Sequence, residues 1–482
     1  MLLALSGVLT SADAQALFGT ANQYGSGGSG PAEVATGDFN GDGRPDLVMA
    51  NNGSGSVGVL LAQPAPAAAG TFAPTPATYA LPSSAGPYGV AVGDLNNDGR
   101  PDIVVANSGS NNISVLLNSP TAPGTFPATA TSYNTGGSFI IGVALADFNG
   151  DGRLDIVSNN YFQGLISVLI NSAVAPGTFP NARTYSSGGT QPACVAVGDF
   201  NADGRPDIVT SNNGSGTIGV LLNSATIPGT FPAAATTYLT GSTNPDGVAV
   251  EDVNGDGRPD IAIINDNGTT SSGAVGIFLN SATAPGTFPA TVTLYLSGGS
   301  NSRRLAFGDF NADGRPDIAV SNQNSGSVSV LLNAAAPAPA GTYSAAVSYL
   351  TGSSGTFGVA VRDVNNDRRP DIVATNFNSA TVGVFLNQST VPLATVPALA
   401  AGVTLYPNPA HEAFTVSLPS VAGAKVVEAD LFNALGQVVR HCSAAPAAGR
   451  SLTVPTAGLP TGVYQLRLQA DAATCFKRLV VQ

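Results

Sequence analysis

The feature that most constrains this chain is a nine-residue acidic motif that recurs seven times. It reads Asp-x-Asn-x-Asp-Gly-Arg-Pro-Asp with small changes, and its copies begin 52 to 57 residues apart. A repeat of that length implies one supersecondary unit per copy, and units that bury their faces only against neighbours. Around the fourth copy, Val195–Gly198 and Asp207–Thr210 read as two short strands flanking the motif. Asn212–Gly216 reads as a turn, Ile218–Leu222 as a third strand, and Thr236–Tyr238, after Pro228-Gly-Thr-Phe231, as a fourth. Four antiparallel strands per repeat predict a propeller blade, so the chain is expected to be all-β, a seven-bladed β-propeller. Composition agrees: 58 Gly, 34 Pro and only 10% charged residues disfavour long helices.

The seventh repeat stops at Val382–Leu386 and lacks the fourth strand. Phe18-Gly19-Thr20 and Tyr24, ahead of the first repeat, match the missing piece. They are predicted to complete the last blade and remove the open edge of the ring.

The motif has the chemistry of a calcium loop, with oxygen donors at alternate positions. In copy 1, Asp38, Asn40 and Asp42 stand at positions 1, 3 and 5, Arg44 offers its carbonyl at position 7, and Asp46 closes the shell. The same roles fall to Asp94, Asn96, Asp98, Arg100 and Asp102 in copy 2. Copy 3 has Asp147, Asn149, Asp151, Arg153 and Asp155, with Leu154 replacing the usual Pro. Copy 4 has Asp199, Asn201, Asp203, Arg205 and Asp207. Copy 5 has Asp252, Asn254, Asp256, Arg258 and Asp260, and copy 6 has Asp309, Asn311, Asp313, Arg315 and Asp317. Copy 7, with Asp363, Asn365, Asp367, Arg369 and Asp371, departs most, because Arg368 replaces the position-6 Gly that such a turn prefers. These motifs hold 21 of the 30 acidic residues, and three carboxylates in one loop repel each other without a cation. Up to seven Ca²⁺ are expected, moving the formal charge from −12 to +2. The net acidity excludes a nucleic-acid partner.

In these residues the chain resembles the FG-GAP/VCBS repeats of integrin α-subunit propellers and bacterial surface proteins, over roughly residues 15–390. The resemblance implies that the calcium loop joins the first two strands of each blade and that the metal is structural. It also implies that partners dock on the opposite face. Candidate ligand-face residues are Tyr88, Phe139, Tyr161, Phe162, Arg303, Arg304 and Phe357, expected on loops, with aromatics and Arg favoured as anchors.

After a linker at 387–402 the motif disappears, and residues 403–482 alternate as a small β-sandwich would. Tyr406-Pro-Asn-Pro409, the Asn433 to Gly436 turn, Leu459-Pro-Thr-Gly462-Val-Tyr464 and the basic Lys477-Arg478 resemble the type A sorting domain of type IX secretion. That resemblance implies the type IX machinery as a partner, and a product released outside the cell or attached to its surface. Residues 1–14 read as the remnant of a signal peptide, an apolar run followed by Ala12-Asp13-Ala14. The propeller itself, residues 15–386, has no long apolar span. Of the three cysteines, Cys442 and Cys475 fall in the last segment and are candidates for pairing.

The only histidines are His411 and His441, outside the propeller, which argues against an enzyme. The acids outside the motifs, Glu33, Asp246, Glu251 and Asp266, would signal catalysis only if two faced each other across a cleft. The leading expectation is a binding or adhesion module for an extracellular protein or glycan. The alternatives are a coat or spacer without a defined ligand and, behind it, a polysaccharide-active enzyme.

Overall fold

A computed structural model describes most of residues 17–389 and, beyond them, chiefly the strand segments between 404 and 481. The signal-like residues 1–14 and most of the 387–402 linker lie outside the described residues. The chain divides into two compact units, Met1–Thr390 and Val391–Gln482.

In the first unit, blade 1 is built from β2 (Pro31–Gly37), β3 (Asp46–Asn51), β4 (Ser56–Leu60) and β5 (Ala77–Ala80), hydrogen-bonded in chain order. The same antiparallel four-strand unit recurs at 87–134, 143–186, 192–239, 245–300 and 302–350. The seventh is β26 (Thr356–Arg362), β27 (Asp371–Asn376) and β28 (Thr381–Phe385), with β1 (Asn22–Gly25) as its fourth strand. The N-terminal segment therefore closes the ring as expected: Asn22 to Gly25 pair with Val384 to Thr381, and Phe18 bridges to Asn387.

Burial explains the strand sequences. Each second strand is buried at all six positions, because blades cover both of its faces, and it reads as a continuous Val/Ile/Leu run. Fourth strands lie at the rim and are mostly exposed, with one inward Tyr. That Tyr joins neighbouring blades. Phe126 of blade 2 takes edge-on contacts from Phe39 and Tyr79 of blade 1. Phe231, Phe288 and Phe18 repeat the arrangement with centroids 5.4 to 5.6 Å apart in all four trios. Each such pair contributes about 0.5–1.5 kcal/mol beyond area burial. Phe18 does this for blade 7 from the far end of the chain, so ring closure is by packing as well as pairing.

The second unit has a three-stranded sheet of β29 (Thr404–Tyr406), β30 (Ala413–Ser417) and β33 (Ser451–Pro455). A four-stranded sheet holds β31 (Val427–Phe432), β32 (Val438–Ala444), β34 (Gly462–Ala470) and β35 (Ala473–Val481) in the order β32-β31-β34-β35. Cys442, Ala429, Leu468 and Cys475 form one row across it. The two cysteines thus sit on opposite edges, three strand spacings or about 14 Å apart, beyond disulfide reach. Among the described residues no helix is long and apolar enough to cross a membrane.

Candidate metal loops and ligand face

Each acidic motif forms the loop from a blade's first strand to its second, on what we term the lower face. Its backbone winds around its own carboxylates. In blade 1, Asp38 accepts N–H bonds from Asp42 at 3.0 Å and Gly43 at 2.8 Å, and the Asp42 carboxylate accepts the Arg44 N–H at 2.9 Å. All seven loops repeat the position-5 bond to the first Asp at 3.0 Å. The turn needs φ near +80° at position 6, as at Gly43 (81°), whereas Arg368 adopts 70° in loop 7. A side chain in that region is strained.

The last Asp of each motif has a second task. Asp207 is wholly buried, and its two oxygens accept the N–H groups of Phe200 at 2.9 Å and Asn223 at 2.7 Å. It thereby ties the exits of the first and third strands to the start of the second. Burial, with some repulsion from Asp203 and Asp199, pushes its carboxyl up to about 7. Its six counterparts are equally buried and shifted the same way, up to about 8 at Asp317.

The donor set is all hard oxygen, and a cation would relieve the repulsion among these carboxylates. Two features compete with it. The Arg at position 7 pairs with the position-5 Asp in loops 1 to 5. Among the described residues no three acidic, His or Cys side chains converge tightly enough to hold a metal by themselves. The Asn oxygen and the position-7 carbonyl would have to complete any shell.

The sequence reading missed an asparagine just after the third strand in six of the seven blades. Asn223 donates its side-chain amide to the Phe148 carbonyl of the preceding blade's loop at 2.8 Å and accepts the Gly229 N–H at 3.0 Å. Asn118, Asn171, Asn280, Asn333 and Asn387 make the same inter-blade bond. Blade 1 has Ala62 instead, so the seam between blades 7 and 1 lacks this tie. The recurrent Asn five residues ahead of Pro-Gly-Thr-Phe in blades 2 to 5 was the available signal.

On the opposite, upper face, four of the expected ligand residues belong to innermost strands rather than loops. Tyr88 lies on β6 (Pro87–Gly93), Arg303 and Arg304 on β22 (Ser302–Gly308), and Phe357 on β26. They meet around the central channel with two of the acids outside the motifs, Glu33 on β2 and Asp246 on β18 (Pro245–Glu251). Arg304, only 6% exposed, contacts Glu33 at 2.8 Å and Asp246 at 2.6 Å, while Arg303 reaches Asp246 at 3.0 Å. Both guanidinium groups lie over the Phe357 ring at 5.6 and 5.4 Å, and Tyr88 meets that ring edge-on. Burial pushes the Glu33 carboxyl up against the pull of Arg304. Arg304 is therefore a buried cross-channel tie and Phe357 is 4% exposed, which leaves Arg303 as the accessible member of the basic pair.

The other three expected residues gather in blade 3. Phe139, Tyr161 and Phe162 are in mutual contact, with centroids 5.0 to 5.5 Å apart, and Phe162 is 65% exposed. Phe139 holds φ at +57°, where blades 1, 2 and 7 place Gly30, Gly86 and Gly355. At the Phe162 position the other described blades carry Gly53, Gly109, Gly214, Asn324 and Asn378. Burial raises the Tyr161 phenol, with Asp246 adding to the shift and Arg303 opposing it.

Comparison with known proteins agrees with this architecture. The FG-GAP-like repeat model matches residues 38–105, 94–158, 199–263, 252–320 and 309–374, together more than half of the chain. The secretion system C-terminal sorting domain model matches residues 404–482. Cartilage acidic protein 1 of Xenopus tropicalis is 28% identical over 276 residues, covering 49% of this chain and 40% of that protein, so the chain spans less than half of that relative. Among solved structures, BBS1N from a complex with ARL6DN superposes with a TM-score of 0.51 at 14% identity, covering 78% of this chain and 98% of that one. A functionally unknown protein from Desulfotomaculum acetoxidans gives 0.44 at 14% identity, covering 66% and 89%. At 14% identity the likeness to BBS1N shows the fold alone. The sorting domain directs the product through type IX secretion to the cell surface or beyond it. With seven blades of the matching repeat and that tail behind them, the chain belongs to the FG-GAP-like repeat family, as a secreted β-propeller.

Proposed function

We propose that the protein is a calcium-binding adhesion module, with metal on the lower face and a ligand site on the upper. The observation that carries the binding reading is the aromatic trio of blade 3. Phe139 and Phe162 put aromatics where the other described blades carry none. Phe139 does so in a backbone conformation costly for a bulky residue, and Tyr161, matched by an aromatic only at Phe377 of blade 7, joins them. The exposed Phe162 ring, supported by the half-buried Phe139 and Tyr161, and the accessible Arg303 elsewhere on the same face suit an extracellular partner that stacks and accepts hydrogen bonds, a glycan or a protein loop. Glu33 and Asp246 face the same channel, but Arg303 and Arg304 neutralise them, which supports binding rather than acid–base catalysis.

For the lower face, Ca²⁺ would be held in each loop by the first Asp, the Asn, the second Asp, the position-7 carbonyl and a remaining lone pair of the last Asp. The ion would supply charge neutralisation and cross-linking; the chain itself supplies the preformed turn. Support comes from the all-oxygen donor set and its sevenfold repetition.

The test is a glycan-array and matrix-protein screen of the full chain beside a variant with the residues other blades carry, Phe139→Gly, Tyr161→Asn and Phe162→Gly. A ligand bound by the native chain and weakened at least about tenfold in the variant supports the site. No ligand for either protein would favour a coat or spacer. Calcium titration with metal counting tests the loops separately, and zero bound ions would remove that half of the reading.

A further inference from the structure

Neighbouring lower-face loops enclose clefts, and the cleft at the closing seam is unlike its counterpart. Between loops 5 and 6 it measures about 270 Å³, and Glu251 stands immediately before the motif on its wall. Between loops 7 and 1 it measures about 570 Å³, and the residue equivalent to Glu251 is Arg362. Arg368 and Arg44 line the same space. Loop 7 with its preceding residue thus carries three Arg against three Asp, where loop 6 carries one Arg against three.

Both extra arginines stand where the repeat prefers glycine. Arg368 occupies the left-handed position-6 conformation at φ +70°, and Gly37, Gly93, Gly198 and Gly308 take the place of Arg362 in four blades. Arg362 and Arg368 are exposed, and among the described residues neither holds a carboxylate. The walls are fixed to each other, because Asn366 donates to the Gly43 carbonyl across the seam at 3.1 Å. Free guanidinium forks on a braced wall match the planar face of an oxyanion. The volume suits one or two sugar rings, and Pro370, Asn366 and Asp38 offer a flat apolar edge and hydroxyl partners.

We propose that this seam cleft binds an acidic saccharide, through a carboxylate or sulfate held by Arg362 and Arg368 and with Arg44 on the facing wall. It lies on the face opposite the aromatic trio and stands or falls without that site. The experiment measures binding of the full chain, at millimolar calcium, to a hyaluronan hexasaccharide, a heparin-derived hexasaccharide, maltohexaose and poly-glutamate. The comparison protein is Arg362→Gly/Arg368→Gly, which restores the residues of the other blades and is expected to melt no lower than the native chain. One or both acidic oligosaccharides should bind, hyaluronan indicating a carboxylate and heparin a sulfate, with affinity at least about tenfold weaker in the double variant. Maltohexaose should not bind. Failure of both acidic sugars, equal affinity in the variant, or poly-glutamate binding as tightly as the sugars would each overturn the proposal.

Discussion

On the lower face, the first motif position is Asp in all seven blades and the third is Asn in all seven. On the upper face, the residues entering the seven blades are Gly30, Gly86, Phe139, Gln191, Asn244, Asn301 and Gly355. The same fold thus holds one end constant and lets the other vary. The constant end is where the backbone folds around buried carboxylates and where blades are tied together, so a change there is paid in stability. The variable end is built on strand starts already fixed by that framework, and its side chains are free to serve a partner.

Calcium removal should separate the two ends most sharply. On the proposed calcium reading, each ion at tenfold excess over its dissociation constant would contribute about 1.4 kcal/mol, so seven would amount to roughly 10 kcal/mol. Chelation should lower the melting temperature by about 10–15 degrees in calorimetry, and a melt unchanged by chelator would mean that the lower face is stabilised by hydrogen bonds alone.

The next largest effect is an exception on the upper face. Arg304→Met leaves Glu33 near the channel without its partner and Asp246 with Arg303 alone, at a cost of about 3 kcal/mol in denaturant unfolding. Adding Glu33→Gln and Asp246→Asn should recover most of it. Recovery would show that the upper face contains one structural element among its variable residues; no initial loss would show that water reaches these charges freely.

A smaller effect concerns acid. The last Asp of each motif has its folded pKa raised by burial, to about 7 at Asp46, Asp155, Asp207 and Asp371. Between the unfolded value near 4 and that folded value, the native state binds more protons than the unfolded chain. Calcium-free protein should therefore gain stability as pH falls from about 7 towards 4, by several degrees of melting temperature. With calcium the trend should reverse, since protons then compete with the ion. Parallel melts across pH, with and without chelator, decide it. The smallest change is expected at Phe139→Gly, which relieves a left-handed backbone and should shift stability by no more than about 1 kcal/mol while weakening ligand binding.

How much of this was legible in the sequence depends on distance along the chain. The blades were readable because each strand, turn and motif lies within one repeat, and the closing strand because Phe18 to Tyr24 copies a local pattern. The cross-channel cluster was not, since Arg304 lies 271 residues from Glu33 and 58 from Asp246, and no local pattern records such a meeting. Arg303 and Arg304 looked alike as neighbours on a chain. Both contact Asp246 and the Phe357 ring at a register irregularity of their strand, where simple alternation fails, and only the structure separates the buried Arg304 from the more accessible Arg303. The inter-blade Asn was visible but uninterpreted, because an Asn after an apolar run reads first as a turn residue. The last Asp of the motif was read only as a ligand, and its bonds to Phe200 and Asn223 required the third strand to be placed.

The pairing of β1 with β28 also bears on the order in which the protein is made. Residues 22–25 leave the ribosome early and have no partner until residues 381–385 follow. The sorting tail at 404–482 is synthesised only after that partner. Every chain long enough to carry the address for export therefore already contains the strand that shuts its ring, and a prematurely ended chain lacks the address along with the closure.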